Sequence, residues 1–117
     1  MYSKELVKGT LKTIVLKLLA ENGRMYGYEI TRHVRQLTDG ELELTEGALY
    51  PTLHKLEKDG LLVTEKESIG KRVRKYYSLT PSGSEASADK VREFQEFVQM
   101  MQLILNPKKI NPAKSIV

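Results

Sequence analysis

Residues 61–79 read "LLVTEKE", "SIGKR" and "VRKYYSL" in succession, two runs rich in β-branched and aromatic residues joined at Gly70. Such a pattern is expected to form a β-hairpin, with the glycine supplying the turn. The rest of the chain has helical spacing, so the hairpin must be seated among helices. That restricts the fold to a mainly helical (α+β) arrangement with one small sheet.

Ahead of the hairpin, Val7, Leu11, Ile14 and Leu18 recur at helical intervals over residues 4–21, with Val15 and Leu19 widening the stripe. "ENGRMYG" breaks this pattern, and a second helix is expected from Tyr26 to Leu37, burying Ile30, Val34 and Leu37. The alternation in "ELEL", residues 41–44, suits a short strand closing an antiparallel sheet with the hairpin. Thr45 is a good N-cap, and Glu46 places negative charge where the helix dipole favours it. The third helix is therefore expected over Glu46–Lys58, with Gly60 as its stop. After the hairpin, Thr80 is a cap and Pro81 the first helical residue, with Ser82 and Glu85 at capping-box spacing. The last helix runs to Leu105, and Asn106, Pro107 and Pro112 mark a basic, disordered tail over 106–117. Three helices followed by a basic hairpin is the winged helix-turn-helix. Residues 1–80 form that unit, with the first helix shared with a dimer, and residues 81–105 form a dimerisation helix.

Composition narrows the function classes. The 117 residues include no cysteine, which excludes disulfides, thiol redox sensing and Cys-ligated zinc. Lys4, Glu5 and Lys8 interrupt the apolar residues at the start, against a signal peptide, and no apolar run spans a bilayer. A cytoplasmic address and no membrane partner are expected. The net charge of +4 is compatible with a polyanionic partner, so its distribution decides.

Leu49, Leu53 and Leu56 share one face of the third helix, leaving Tyr50, Thr52, His54 and Lys55 on another. A cation, two hydroxyls and an imidazole can all hydrogen-bond to phosphates or base edges. Pro51 either tilts and stiffens the leading turn or marks a later helix start. The hairpin carries Lys66, Lys71, Arg72, Arg74 and Lys75, countered by Glu65 and Glu67. Tyr76 and Tyr77 point to opposite faces, one to the core and one beside the basic strip. Val91, Phe94, Val98, Met101 and Leu105 repeat at seam spacing in the last helix, with Phe97 and Ile104 broadening it, so a second copy is expected to cover them. His33 and His54, the only histidines, pair with no nucleophile or ligand cluster at diagnostic spacing. No enzyme, metal site or cofactor is expected. The competing class is a winged-helix module that binds protein through the same surfaces.

"LYPTLHKLEKDGLL" followed by "GKRVRKYYSLTPSG", with Tyr26-Gly27 in "MYGYEI", resembles the PadR family of bacterial transcriptional regulators over about residues 6–105. The single short last helix resembles the compact subfamily. The resemblance implies a homodimeric repressor on a pseudo-palindromic operator. Its third helix would enter the major groove through Tyr50, Thr52, His54 and Lys55, and its wing would contact backbone through Lys71, Arg72 and Arg74. The first and last helices would build the dimer, here through Val7, Leu11, Val91, Phe94, Val98, Met101 and Leu105. Some compact relatives hold flat aromatic compounds between the last helices. With no tryptophan in this chain, that small-molecule effector site would use Phe94 or Phe97.

Overall fold

The Ser3 hydroxyl oxygen accepts the Leu6 N–H at 3.2 Å and opens helix α1, Lys4–Asn22. In the computed structural model, which describes residues 2–107, the following elements are β1 Met25–Tyr26, α2 Gly27–Leu37, α3 Glu46–Lys58, β2 Leu62–Ile69, β3 Arg72–Leu79 and α4 Pro81–Leu105. This is the expected winged helix-turn-helix followed by a single final helix. Leu11, Val15, Leu16, Leu18 and Leu19 of α1 meet Ile30 and Val34 of α2, and Leu49, Leu53 and Leu56 of α3 complete the core. Each of these leucines contributes about 2 kcal/mol by burial.

The third helix begins where Thr45 caps it, its Oγ1 accepting the Ala48 N–H at 3.2 Å. A later start at Pro51 is thereby ruled out, because the proline lies inside the helix. Both Pro51 and Gly47 are exposed, opposite the buried leucines. The hydrogen bond that the pyrrolidine ring cannot make to the preceding turn therefore falls on the wet side, where water can replace it.

Two sequence expectations fail around α2. Residues 41–44 form no strand; the third strand of the sheet is β1, and the order is β1-β3-β2. Met25 pairs with Tyr77 and Tyr26 with Tyr76, all antiparallel. Residues 41–44 instead follow a turn tied by Thr38, whose Oγ1 accepts the Leu42 N–H at 3.1 Å and lies 2.8 Å from the Val34 carbonyl. The turn delivers Leu44 to the core, which accounts for its apolar character without a strand. Leu37, expected to be buried, is 67% exposed. Thr38 takes the half-buried place on the continuation of Val34's face, and the helix ends there.

The hairpin register runs from Leu62–Leu79 to Ile69–Arg72, closed by Gly70-Lys71. Gly70 has φ +61°, the left-handed region that a side chain disfavours. Tyr77 is the core tyrosine, 1% exposed, and burial pushes its phenol pKa up while nearby Lys75 opposes the shift.

The last helix is bolted to the end of α3. Thr80 donates its hydroxyl to the Gly60 carbonyl at 2.7 Å and its N–H to the Leu61 carbonyl at 3.0 Å, and its Oγ1 accepts the Gly83 N–H at 3.0 Å. Thr80 alone is therefore the cap; Ser82 lies within the helix and opens no capping box. Further on, the buried Ser87 hydroxyl donates to the Leu16 carbonyl of α1 at 3.1 Å. Beyond Val91 the helix leaves the core, and its apolar residues are largely uncovered.

Candidate nucleic-acid interface

Beyond the exposed Glu46 of its first turn, the exposed residues of α3 form one stripe: Gly47, Pro51, His54, Lys55 and Lys58. Three- and four-residue spacing aligns them on the face opposite the core leucines. His54 is exposed on this stripe, its ring 6.4 Å from that of Tyr50, whereas Lys55 pairs with Asp59 at 3.1 Å. That pair is exposed and i,i+4, so it leaves the ammonium available at small expense.

Tyr50 and Thr52 flank the stripe and are half-buried. The Thr52 hydroxyl donates back to the Ala48 carbonyl at 3.2 Å. The Tyr50 ring turns toward the start of α2 and lies over Gly27, where a Cβ would sit 2.8 Å from Tyr50 Cζ. Gly27 is thus the seat of Tyr50. We expect Gly27→Ala to swing that ring outward without unfolding the chain, because a tyrosine tip can yield. Loss of contacts between the Tyr50 ring and residue 27 in nuclear Overhauser spectra checks this, with a melting temperature within a few degrees of the unaltered chain.

The wing has two chemically different faces. Strand alternation groups Arg74 and Tyr76 with Glu65 and Glu67 on the outer face. Lys75 and Tyr77 share the inner face with Thr64 and Lys66. On the inner face Glu57 of α3 ties helix to wing, accepting the Thr64 hydroxyl at 3.0 Å and lying 3.6 Å from Lys75 Nζ. This carboxylate offsets the repulsion between Lys66 and Lys75, which stand directly opposite each other.

On the outer face Arg74 places its Cζ over the Tyr26 ring, 3.9 Å from the centroid, and donates to the Tyr76 hydroxyl at 3.4 Å. That hydrogen bond, with the nearby tyrosines, holds its guanidinium more firmly protonated than usual. Lys71 and Arg72, at the tip, are exposed. The three wing cations expected from the sequence therefore divide: two project at the tip, and one is stacked on the sheet.

The residues expected from the sequence to build a dimer divide as well. Leu11 gives its side chain wholly to the chain's own core, at 1% exposure, and Val7, Val91 and Met101 are half-buried. Phe94, Phe97, Val98, Ile104 and Leu105 are exposed. The Phe94 and Phe97 rings lie 6.5 Å apart at a 40° tilt. Phe94 also borders an open cleft of about 320 Å³ lined by Tyr2, Leu6, Val7 and Leu42. Among the described residues no cluster of His, Asp and Glu is arranged to hold a metal, and no helix is long and apolar enough to cross a membrane.

A winged fold with this helix and hairpin is shared with known proteins. The family model described as the transcriptional regulator PadR-like family matches residues 15–89. This chain belongs to the PadR-like family. PadR-like proteins are transcription regulators and not enzymes. The chain is similar to the transcriptional regulator Rv3488 of Mycobacterium tuberculosis, with 32% identity over 82% of this chain and 86% of the relative. A transcriptional regulator from Clostridium thermocellum (Cth-833) has a TM-score of 0.77 at 31% identity, covering 87% of this chain and 96% of that one. PadR of Bacillus subtilis, solved in complex with operator DNA, has a TM-score of 0.63 at 29% identity over 69% of this chain, which covers 46% of that longer protein.

Within the PadR-like frame, sequence reasoning passed over Lys58 and Arg24, and it named Lys66 and Lys75 without giving them a face. Counting by twos from the core tyrosine would have placed Lys75 on the inner face, and the α3 stripe would have carried Lys58. Arg24 had no local signal, since its hydrogen-bonding partner Glu67 is 43 residues away.

Proposed function

We propose that this PadR-like chain is a homodimeric, sequence-specific DNA-binding repressor of the cytoplasm, released by a small planar aromatic or phenolic ligand. The observation that carries the DNA reading is the exposed α3 stripe of His54, Lys55 and Lys58 beside a hairpin tipped by Lys71 and Arg72. A helix presenting donors, next to a cationic tip, suits the major groove and the flanking backbone respectively. The operator complex of Bacillus subtilis PadR supports the same use of this fold. Two copies, paired through α4 and the start of α1, would set two reading helices on a pseudo-palindromic site. Phe94 and Phe97 supply the flat apolar surfaces against which an aromatic effector would stack.

Salt titration tests this reading. If a dimer neutralises about 8 phosphates, log affinity should fall against log salt with a slope of about −7. Arg72→Ala should weaken binding to all sequences alike and make the slope shallower by about 0.9 for each phosphate contact removed. His54→Ala and Thr52→Ala should instead change which sequences are preferred. A flat salt response, with no preference for the chain's own upstream DNA over scrambled DNA, would replace this reading with a protein-binding module. Adding planar aromatics and phenolic acids to the same titration tests release.

A further inference from the structure

We propose that Arg24, in the turn entering β1, is a positioning residue that clamps the wing in its DNA-reading orientation; this rests on the DNA-binding reading above. One guanidinium reaches both strands of the hairpin. Its Nη2 lies 2.6 Å from Glu67 and its Nη1 lies 3.7 Å from Glu65, both on β2. Its Cζ sits 4.0 Å above the ring of Tyr76 on β3. Arg74 returns the arrangement across the sheet, 3.9 Å over Tyr26, and the two tyrosine rings meet edge-on at 5.5 Å. Two arginines and two tyrosines thus interleave where β1 meets β3, a geometry that favours both cation–π contacts and edge-to-face rings.

The location explains why such a clamp is useful. Strand β1 pairs with β3 only at Met25–Tyr77 and Tyr26–Tyr76. From Lys75 outward to Arg72 the hairpin has, among the described residues, no third strand beside it. Arg24, through Glu67 on β2, and Arg74, through Tyr26, make the outermost attachments on that face at one rung. Arg24 is the one that holds β2, so its loss should free the tip to swing. A planar fork suits this task, since it can engage two carboxylates while its face rests on a ring. Arg24 is also turned toward two acidic side chains, so a phosphate would have to displace Glu67 to reach it. Its hydrogen bond to Glu67 holds its guanidinium more firmly protonated than usual, consistent with this engagement.

The test compares Arg24→Ala and Arg24→Lys with the unaltered protein. Lysine keeps the charge but loses the fork and the flat face. In the free protein, hydrogen exchange of amides in residues 62–79 should accelerate about fivefold to tenfold in both variants, with the helices unchanged. DNA affinity should fall about fivefold to tenfold, while the salt slope shifts by less than the ~0.9 of one lost phosphate contact. Unchanged exchange in Arg24→Ala, or a lysine variant matching the unaltered protein in exchange and affinity, would overturn the clamp. A slope made shallower by about 0.9 would overturn it too, making Arg24 a phosphate contact. Should the unaltered protein fail to bind DNA while the variants still loosen the hairpin, the attachment stands and the DNA-binding reading falls.

Discussion

Val98→Asp should yield a folded chain that sediments as a monomer and binds operator DNA about a hundredfold more weakly, or worse, than the unaltered protein. Val98 is 37% exposed on the run of α4 beyond Val91, among Phe94 and Leu105. Within one chain an aspartate there meets water, so the fold should lose less than about 1 kcal/mol. At a dry seam between two copies, the same carboxylate would be stripped of water without a cation to face it, which opposes pairing strongly. Loss of pairing removes the gain that two linked reading helices have over one, a factor of about 10² to 10⁴. Sedimentation velocity, circular dichroism and DNA titration on one sample separate these effects. A variant that stays dimeric with full affinity would show that this face is not the seam.

Gly83→Ala should destabilise the protein by about 3 kcal/mol, although helix propensity alone predicts a gain of about 1 kcal/mol from the same change. Gly83 lies in the first turn of α4 and is buried against the backbone of Leu61. A Cβ there would collide with the Leu61 carbonyl oxygen, sit 3.0 Å from its carbon, and lie 3.2 Å from Leu79 Cδ2. None of the backbone can give way cheaply, because the Leu61 carbonyl is also held by the Thr80 N–H at 3.0 Å. Denaturant unfolding checks the sign. An alanine variant as stable as the original would mean that α4 can slide along the end of α3. The point bears on the proposed regulation, because this junction links α4, the proposed effector-binding helix, to α3, the proposed reading helix.

Much of the fold was legible because its elements are long enough to show a period. The leucines of α3, the caps Thr45 and Thr80 and the core role of one wing tyrosine all follow from spacing and local hydrogen-bond chemistry. Strand β1 was not legible, since two residues carry no period, and "ELEL" offered a more regular alternation in the wrong place. There the apolar residues serve a turn tied by the Thr38 side chain, a contact that alternation cannot distinguish from a strand. Leu37 failed for a related reason: helical spacing extends a buried face, but it does not say where the neighbouring elements stop covering it.

The candidate interface shows the same division. Its cations were visible as residues, but not which of them are free. Arg74 read as another wing cation until its stacking on Tyr26 placed it within the sheet. Tyr50 read as an outward-facing hydroxyl until the missing side chain at Gly27 gave its ring a seat.

By itself the sequence determined the order of helices and hairpin, the buried leucine face of α3 and its stop near Gly60, the concentration of positive charge in the wing and the apolar length of α4. These properties depend on neighbours within a few residues, which periodicity and capping record. Only the tertiary structure decided that Pro51 lies on the wet face of an unbroken helix, that Arg24 reaches the wing, and that Gly83 cannot carry a side chain. Each of these depends on what lies across the fold or on the solvent side, and folding brings together partners that no local pattern connects.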